Sequence, residues 1–67
     1  MALFKLAADG KPYFARASKY AGKSLDEVAR LDPRYMRWVG KASLEYPMTL
    51  EESEALALVL QTYGIPQ

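Results

Sequence analysis

Apolar residues recur along this chain in three patterns, each ended by a turn or a capping signal. Between Met1 and Ala17 the short run Leu3-Phe4-Lys5-Leu6 is followed by Asp9-Gly10 and then by Tyr13-Phe14-Ala15-Arg16. Two brief apolar runs around an Asp-Gly dipeptide predict strand–turn–strand, an N-terminal β-hairpin. Pro12 has no N–H to give to a ladder, so it belongs at the start of its strand or on an edge. Lys19 to Lys23 reads as a loop or a short third strand, with Gly22 supplying a backbone shape that a side chain would obstruct.

Helical spacing takes over at Leu25. Leu25, Val28 and Leu31 recur at i, i+3 and predict a helix over about Leu25 to Leu31 with one buried stripe. Ser24 followed by Glu27 is a capping box: the hydroxyl accepts from the Glu27 N–H and the carboxylate reaches back to that of Ser24. Asp32-Pro33 is an N-cap followed by proline at the first helical position, where a missing N–H costs nothing. A second helix therefore starts at Pro33 after a sharp corner and runs to about Leu44. It sets Tyr35, Val39 and Ala42 in one row, Met36 with Ser43 beside it, and Trp38 on the flank with Ala42 and Tyr35. Arg34, Arg37 and Lys41 share another face.

Thr49 and Glu52 form a further capping box. The helix they open continues through Ala55–Leu60 to Tyr63, with Gly64 as the residue that ends it and Pro66 just beyond. Glu51, Glu52 and Glu54 complement its dipole, and Leu50, Leu56, Val59, Leu60 and Tyr63 form its expected core stripe. Leu58 falls outside that stripe and is either edge packing or an interface residue. The pattern predicts a small α+β domain spanning residues 1–67, a hairpin followed by three helices. Val28, Leu31, Trp38, Val39, Leu56 and Leu60 are expected to be mostly buried.

Composition narrows what such a domain can do. A chain of 67 residues buries only about 60% of its unfolded surface, so good caps and a well-filled core matter. Without cysteine or histidine there are no disulfides and none of the usual zinc ligands. The common base–nucleophile pairs of enzymes are equally out of reach, which predicts a protein with no catalytic site and no cofactor. Asp26, Glu27 and Asp32 read as helix-start residues rather than a metal site. The glycine–lysine pairs at 10–11 and 22–23 lack the spacing of a phosphate loop. No apolar run approaches a membrane span and the N-terminal stretch is too short for a signal peptide, so a cytoplasmic location is expected.

Net charge is +1, but the charges are segregated. Residues 1–41 hold all nine lysines and arginines against four acidic residues, for +5, whereas residues 42–67 hold four glutamates and no cation. Basic residues are interleaved with rings: Lys11, Tyr13, Arg16, Lys19, Tyr20, Lys23 and, on the second helix, Arg34, Arg37 and Lys41. Cations neutralise phosphates and exposed rings stack on unpaired bases, so this mixture points toward nucleic acid. Lys19, Tyr20, Lys23, Arg34, Arg37 and Lys41 are the candidate contacts. Tyr35 and Trp38, on an amphipathic helix, read as core or corner residues.

The densest stretch is Ser18 to Val39, and its residues carry a resemblance. Lys19, Tyr20, Gly22 and Lys23, then Val28, then Asp32, Pro33, Tyr35, Met36 and Trp38 fit the pattern GKYKGK followed by D-P-x-Y-hydrophobic-x-W. That stretch resembles the small C-terminal domain of exodeoxyribonuclease X-like proteins, which also occurs as a free-standing bacterial and phage protein. Ser18 and Ala21 stand where that family has glycine and lysine. The resemblance implies an accessory domain beside DNA-processing enzymes, plausible for DNA binding, without the nuclease active site. The alternative is a protein-interaction module, a homodimer or a partner-protein contact, working through the apolar C-terminal helix and Leu58.

Overall fold

The computed structural model describes residues 3–16 and 18–66. Met1, Ala2 and Ala17, which fall in the expected hairpin segment, lie outside the described residues. The architecture is α+β, a two-stranded antiparallel hairpin followed by three helices. Strand β1 (Phe4–Leu6) pairs with β2 (Pro12–Phe14), with Phe4 opposite Phe14 and Leu6 opposite Pro12. Because side chains alternate along a strand, these two pairs share one face, and Phe4, Pro12 and Phe14 are buried there. Pro12 takes the first position of its strand. The turn is closed by Gly10 at φ 82° and by the Asp9 carboxylate, which accepts from the Lys11 N–H at 2.9 Å.

Residues 18–23 form turns that lead to one bridge, Tyr13 to Ser24, rather than a full third strand. They are tied along the free edge of β2: the Phe14 N–H donates to the Lys23 carbonyl at 3.0 Å and the Gly22 N–H to the Phe14 carbonyl at 3.3 Å. Gly22 has φ 82°, the left-handed region that lets the chain return to β2 before α1 begins.

Helix α1 (Leu25–Leu31) is capped by Ser24, whose hydroxyl accepts from the Glu27 N–H at 3.1 Å. The reciprocal half of the expected box is not made: the Glu27 carboxylate instead pairs with Lys23 Nζ at 3.0 Å. Helix α2 (Pro33–Ala42) has Asp32 as its N-cap and continues into a 3₁₀ turn (Ser43–Glu45). Helix α3 (Leu50–Thr62) carries the full Thr49–Glu52 box, with bonds of 2.8 and 3.1 Å. Its C-terminus closes through Gly64 at φ 62°, with the Ile65 N–H on the Leu60 carbonyl and the Gly64 N–H on that of Gln61. Ile65 is thereby turned into the core against Leu60.

The three helices pack on one another and α1 and α3 pack on β2. Between them lie Phe4, Phe14, Leu25, Val28, Ala29, Met36, Val39, Leu56, Val59, Leu60 and Ile65. Three expected core residues are on the surface instead: Leu31 is 62% exposed, Trp38 52% and Leu50 75%. The reason is angular. A helix advances about 100° per residue, so each i, i+3 step drifts by about 60°, and Leu31 ends about 120° from Leu25. Ala29, not Leu31, completes the buried face of α1. Trp38 lies about 150° from the middle of the face formed by Met36, Val39 and Gly40, and Leu50 about 130° from that of Leu56, Val59 and Leu60.

Gly22 offers a direct test of the loop. A Cβ there would meet nothing within 4 Å, so substitution acts through backbone conformation alone. The left-handed region costs an alanine about 1 kcal/mol or more. In a domain this small, Gly22→Ala should lower the melting temperature by roughly 4–8 °C, and Gly22→Asn by less. Thermal denaturation followed by circular dichroism reads the difference; unchanged melting in Gly22→Ala would mean that the loop does not need the left-handed residue.

Candidate nucleic-acid interface

The loop from Ser18 to Lys23 and the start of α2 meet around the Asp32 carboxylate. One oxygen, Oδ1, accepts from the Tyr35 N–H at 3.2 Å and caps α2. The other, Oδ2, accepts from the Tyr20 hydroxyl at 2.7 Å. The Asp32 backbone N–H meanwhile donates to the Val28 carbonyl at 2.7 Å and finishes α1. Ser18 braces the same corner: its hydroxyl accepts from the Tyr20 N–H and lies 3.2 Å from the Tyr35 hydroxyl.

Four rings are stacked outward from the core along this corner. Phe14 is buried and meets Tyr35 edge-on, with centroids 5.6 Å apart. Tyr20 meets Tyr35 edge-on at 4.9 Å, and Trp38 lies 5.6 Å beyond Tyr35 at a tilt of 36°. Lys19 Nζ sits 5.3 Å from the Tyr20 centroid and 5.9 Å from that of Tyr35, a cation against both rings. Tyr20 is therefore a half-buried member of the cluster, with its hydroxyl on Asp32 and its ring against Phe14 and Tyr35.

This geometry moves two titrations apart. Asp32 is held below its ordinary value, first by the Tyr20 hydrogen bond, then by the Tyr35 N–H, with Lys19 and Arg34 adding to it. Tyr20 is pushed up, chiefly because its proton is bonded to the Asp32 carboxylate. Asp32 is thus a charged anchor engaged with protein donors. Among the described residues, no group of three acidic, histidine or cysteine side chains could hold a metal ion.

The structure brings Lys19, Tyr20 and Arg34 together around Asp32. On α2, Arg34, Arg37 and Lys41 are exposed, and among the described residues no carboxylate pairs with them. Arg34 and Arg37 also border a shallow groove of about 220 Å³ whose far wall is Tyr63–Pro66. Lys23 is set apart, half-exposed and paired with Glu27 along α1. Lys11 belongs to the hairpin turn, and Leu58 is 64% exposed on α3. The residue that sequence reasoning assigned to the core or its corner is Trp38, whose indole stands in the cationic face. Its signal was the helical period itself: Trp38 is about 40° from Arg34 and 60° from Lys41, but about 100° or more from the buried Met36, Val39 and Gly40.

Among the described residues, no helix is long and apolar enough to cross a membrane. No family model, curated protein or solved structure matches the chain.

The Tyr20–Asp32 pair gives stability a pH signature. With its carboxyl lowered in the fold, Asp32 contributes stability above the ordinary carboxylate value, lost as pH falls through the lowered one. Tyr20, raised in the fold, contributes below its ordinary value and loses that as pH rises through the raised one. Asp32→Asn keeps a capping oxygen that does not titrate, so its melting temperature should fall less than that of the wild type from about pH 5 down to about pH 2. Asp32→Ala loses cap and acceptor together and should melt roughly 4–8 °C lower at neutral pH. Parallel acid limbs for the wild type and Asp32→Asn would mean that the carboxylate is not coupled to folding.

Proposed function

We propose that this chain is a non-catalytic accessory module that binds nucleic acid, DNA in particular, through the loop at Lys19 and the exposed face of α2. One observation carries the reading: Arg34, Arg37 and Lys41 stand exposed beside Trp38, without carboxylate partners among the described residues. A polyanion supplies the missing counter-charge, and an exposed ring beside it suits a base. The +5 charge of residues 1–41 adds a longer-range attraction. The resemblance of Ser18–Val39 to the exodeoxyribonuclease X-like C-terminal domain supports DNA as the partner, and Lys19, Tyr20, Asp32, Tyr35 and Trp38 of that pattern are the residues clustered here.

Affinity on this reading is dominated by phosphate contacts. With Lys19, Arg34, Arg37 and Lys41 engaged, log affinity against log salt should have a slope of about −3 on single strands, at about −0.7 per phosphate. Arg34→Ala and Arg37→Ala should each flatten it by about 0.7, and Lys23→Ala by less because Glu27 already neutralises that lysine. Titration at two salt concentrations measures this, and a salt-independent affinity would sink the reading.

A second reading, a homodimer or partner-protein contact, is favoured by exposed leucines outside α2. Leu44 is 87% exposed, and on α3 Leu50 and Leu58 are 75% and 64% exposed. If α3 self-associates, sedimentation should give a dimer for the wild type and a monomer for Leu58→Glu; equal masses would remove Leu58 from any interface.

A further inference from the structure

Resting on the nucleic-acid reading, we infer that the ligand is a single strand, held by stacking one unpaired base on the indole of Trp38 while the cations of α2 take the flanking phosphates. The chain's only tryptophan is 52% exposed, and unlike the exposed leucines it offers a flat ring, on a helix face that also carries Arg34, Arg37 and Lys41. The indole is also braced. Tyr35 lies against it at 5.6 Å, and Tyr35 is itself fixed by Ser18, Phe14 and Tyr20. A ring propped from behind loses little freedom when something lies on its outer face, which is what a stacking platform requires.

The surroundings choose the base over other flat ligands. Arg34 precedes Trp38 by four residues and Lys41 follows it by three, so both are its neighbours on the helix surface, one toward each end. From Arg34 to Lys41 the helix rises about 10 Å, room for two or three consecutive phosphates of one strand. Cation, ring, cation is the order in which a strand presents phosphate, base, phosphate. In a duplex the bases are stacked on each other, so the cations would still find phosphates but the indole would find no free face. The protein therefore distinguishes unpaired from paired strands through one residue.

Trp38 reports on its own role, because its fluorescence is the only indole signal. The full chain is titrated with a short oligothymidylate and with a blunt-ended two-strand duplex of equal phosphate number, at about 50 and 200 mM salt. Oligothymidylate should quench the indole in parallel with binding measured by the anisotropy of a labelled strand. Trp38→Ala should bind it about 5- to 150-fold more weakly with the salt slope unchanged, and should bind the duplex as the wild type does. Trp38→Phe, which keeps a ring, should fall between, and circular dichroism establishes that both variants fold. Salt-dependent binding without quenching, or an equal loss on strand and duplex, overturns the stacking inference and leaves the nucleic-acid reading standing. Binding of neither ligand at tens of micromolar overturns both, and a change of mass in Trp38→Ala would then mark the indole as a protein contact.

Discussion

Asp32 is bonded three ways at once, and the arrangement of the surface depends on it. Its N–H ends α1, one carboxylate oxygen begins α2 and the other holds Tyr20. The proline that follows forbids a continuous helix, so two helices meet at a fixed corner. Tyr20 carries that constraint into the loop, which is anchored at its far end on β2 through Phe14. Tyr35, the residue whose N–H is capped, is also the ring against which Tyr20, Phe14, Lys19 and Trp38 rest. A charge-assisted hydrogen bond between two part-buried groups is thus what orders the rings, in a domain too small to do so by core volume alone.

What was legible in the sequence is what local chemistry decides. Ser24, Asp32-Pro33, Thr49–Glu52 and Gly64 mark helix ends because each needs only its own few neighbours, and all four do so here. The Asp9-Gly10 turn and the position of Pro12 follow for the same reason. Glu27 was decided by a competition instead. Its carboxylate could reach the Ser24 N–H or the Lys23 ammonium, and the ammonium won. Capping patterns name the possible partners of a carboxylate but not the nearest charge once the loop has folded.

Which face a helix buries was less legible. Leu31 and Leu50 were expected inside from helical spacing and Trp38 from its place on an amphipathic helix, yet each lies more than a quarter turn from its helix's buried face. On short helices, a residue or two of drift is enough to cross from core to solvent. Small residues take the space: Ala29 completes α1, and Gly40 and Ser43 lie buried where α2 meets its neighbours. The hydroxyl of Ser43 is satisfied at home by the Gly40 carbonyl, so it enters the core without an unpaired polar atom. Coarse spacing marked the candidates for burial; exact phase decided among them.

The two outward faces that result are unlike in charge as well as in shape. The exposed side of α2 combines three cations with an indole, whereas the first turns of α3 carry Glu51, Glu52 and Glu54. Those glutamates stabilise α3 locally, through the Thr49–Glu52 box and the helix dipole, so their presence needs no partner to explain it. They nevertheless repel a polyanion from that side. The cations of α2 are less fully accounted for: Lys41 suits the last turn and Arg34 favours the charged form of the Asp32 cap, but Arg37 lies beyond the first turn and pairs with no carboxylate among the described residues. Cations that no carboxylate pairs with among the described residues are the part of the charge pattern left for a ligand, and they flank the indole that the fold leaves half in water.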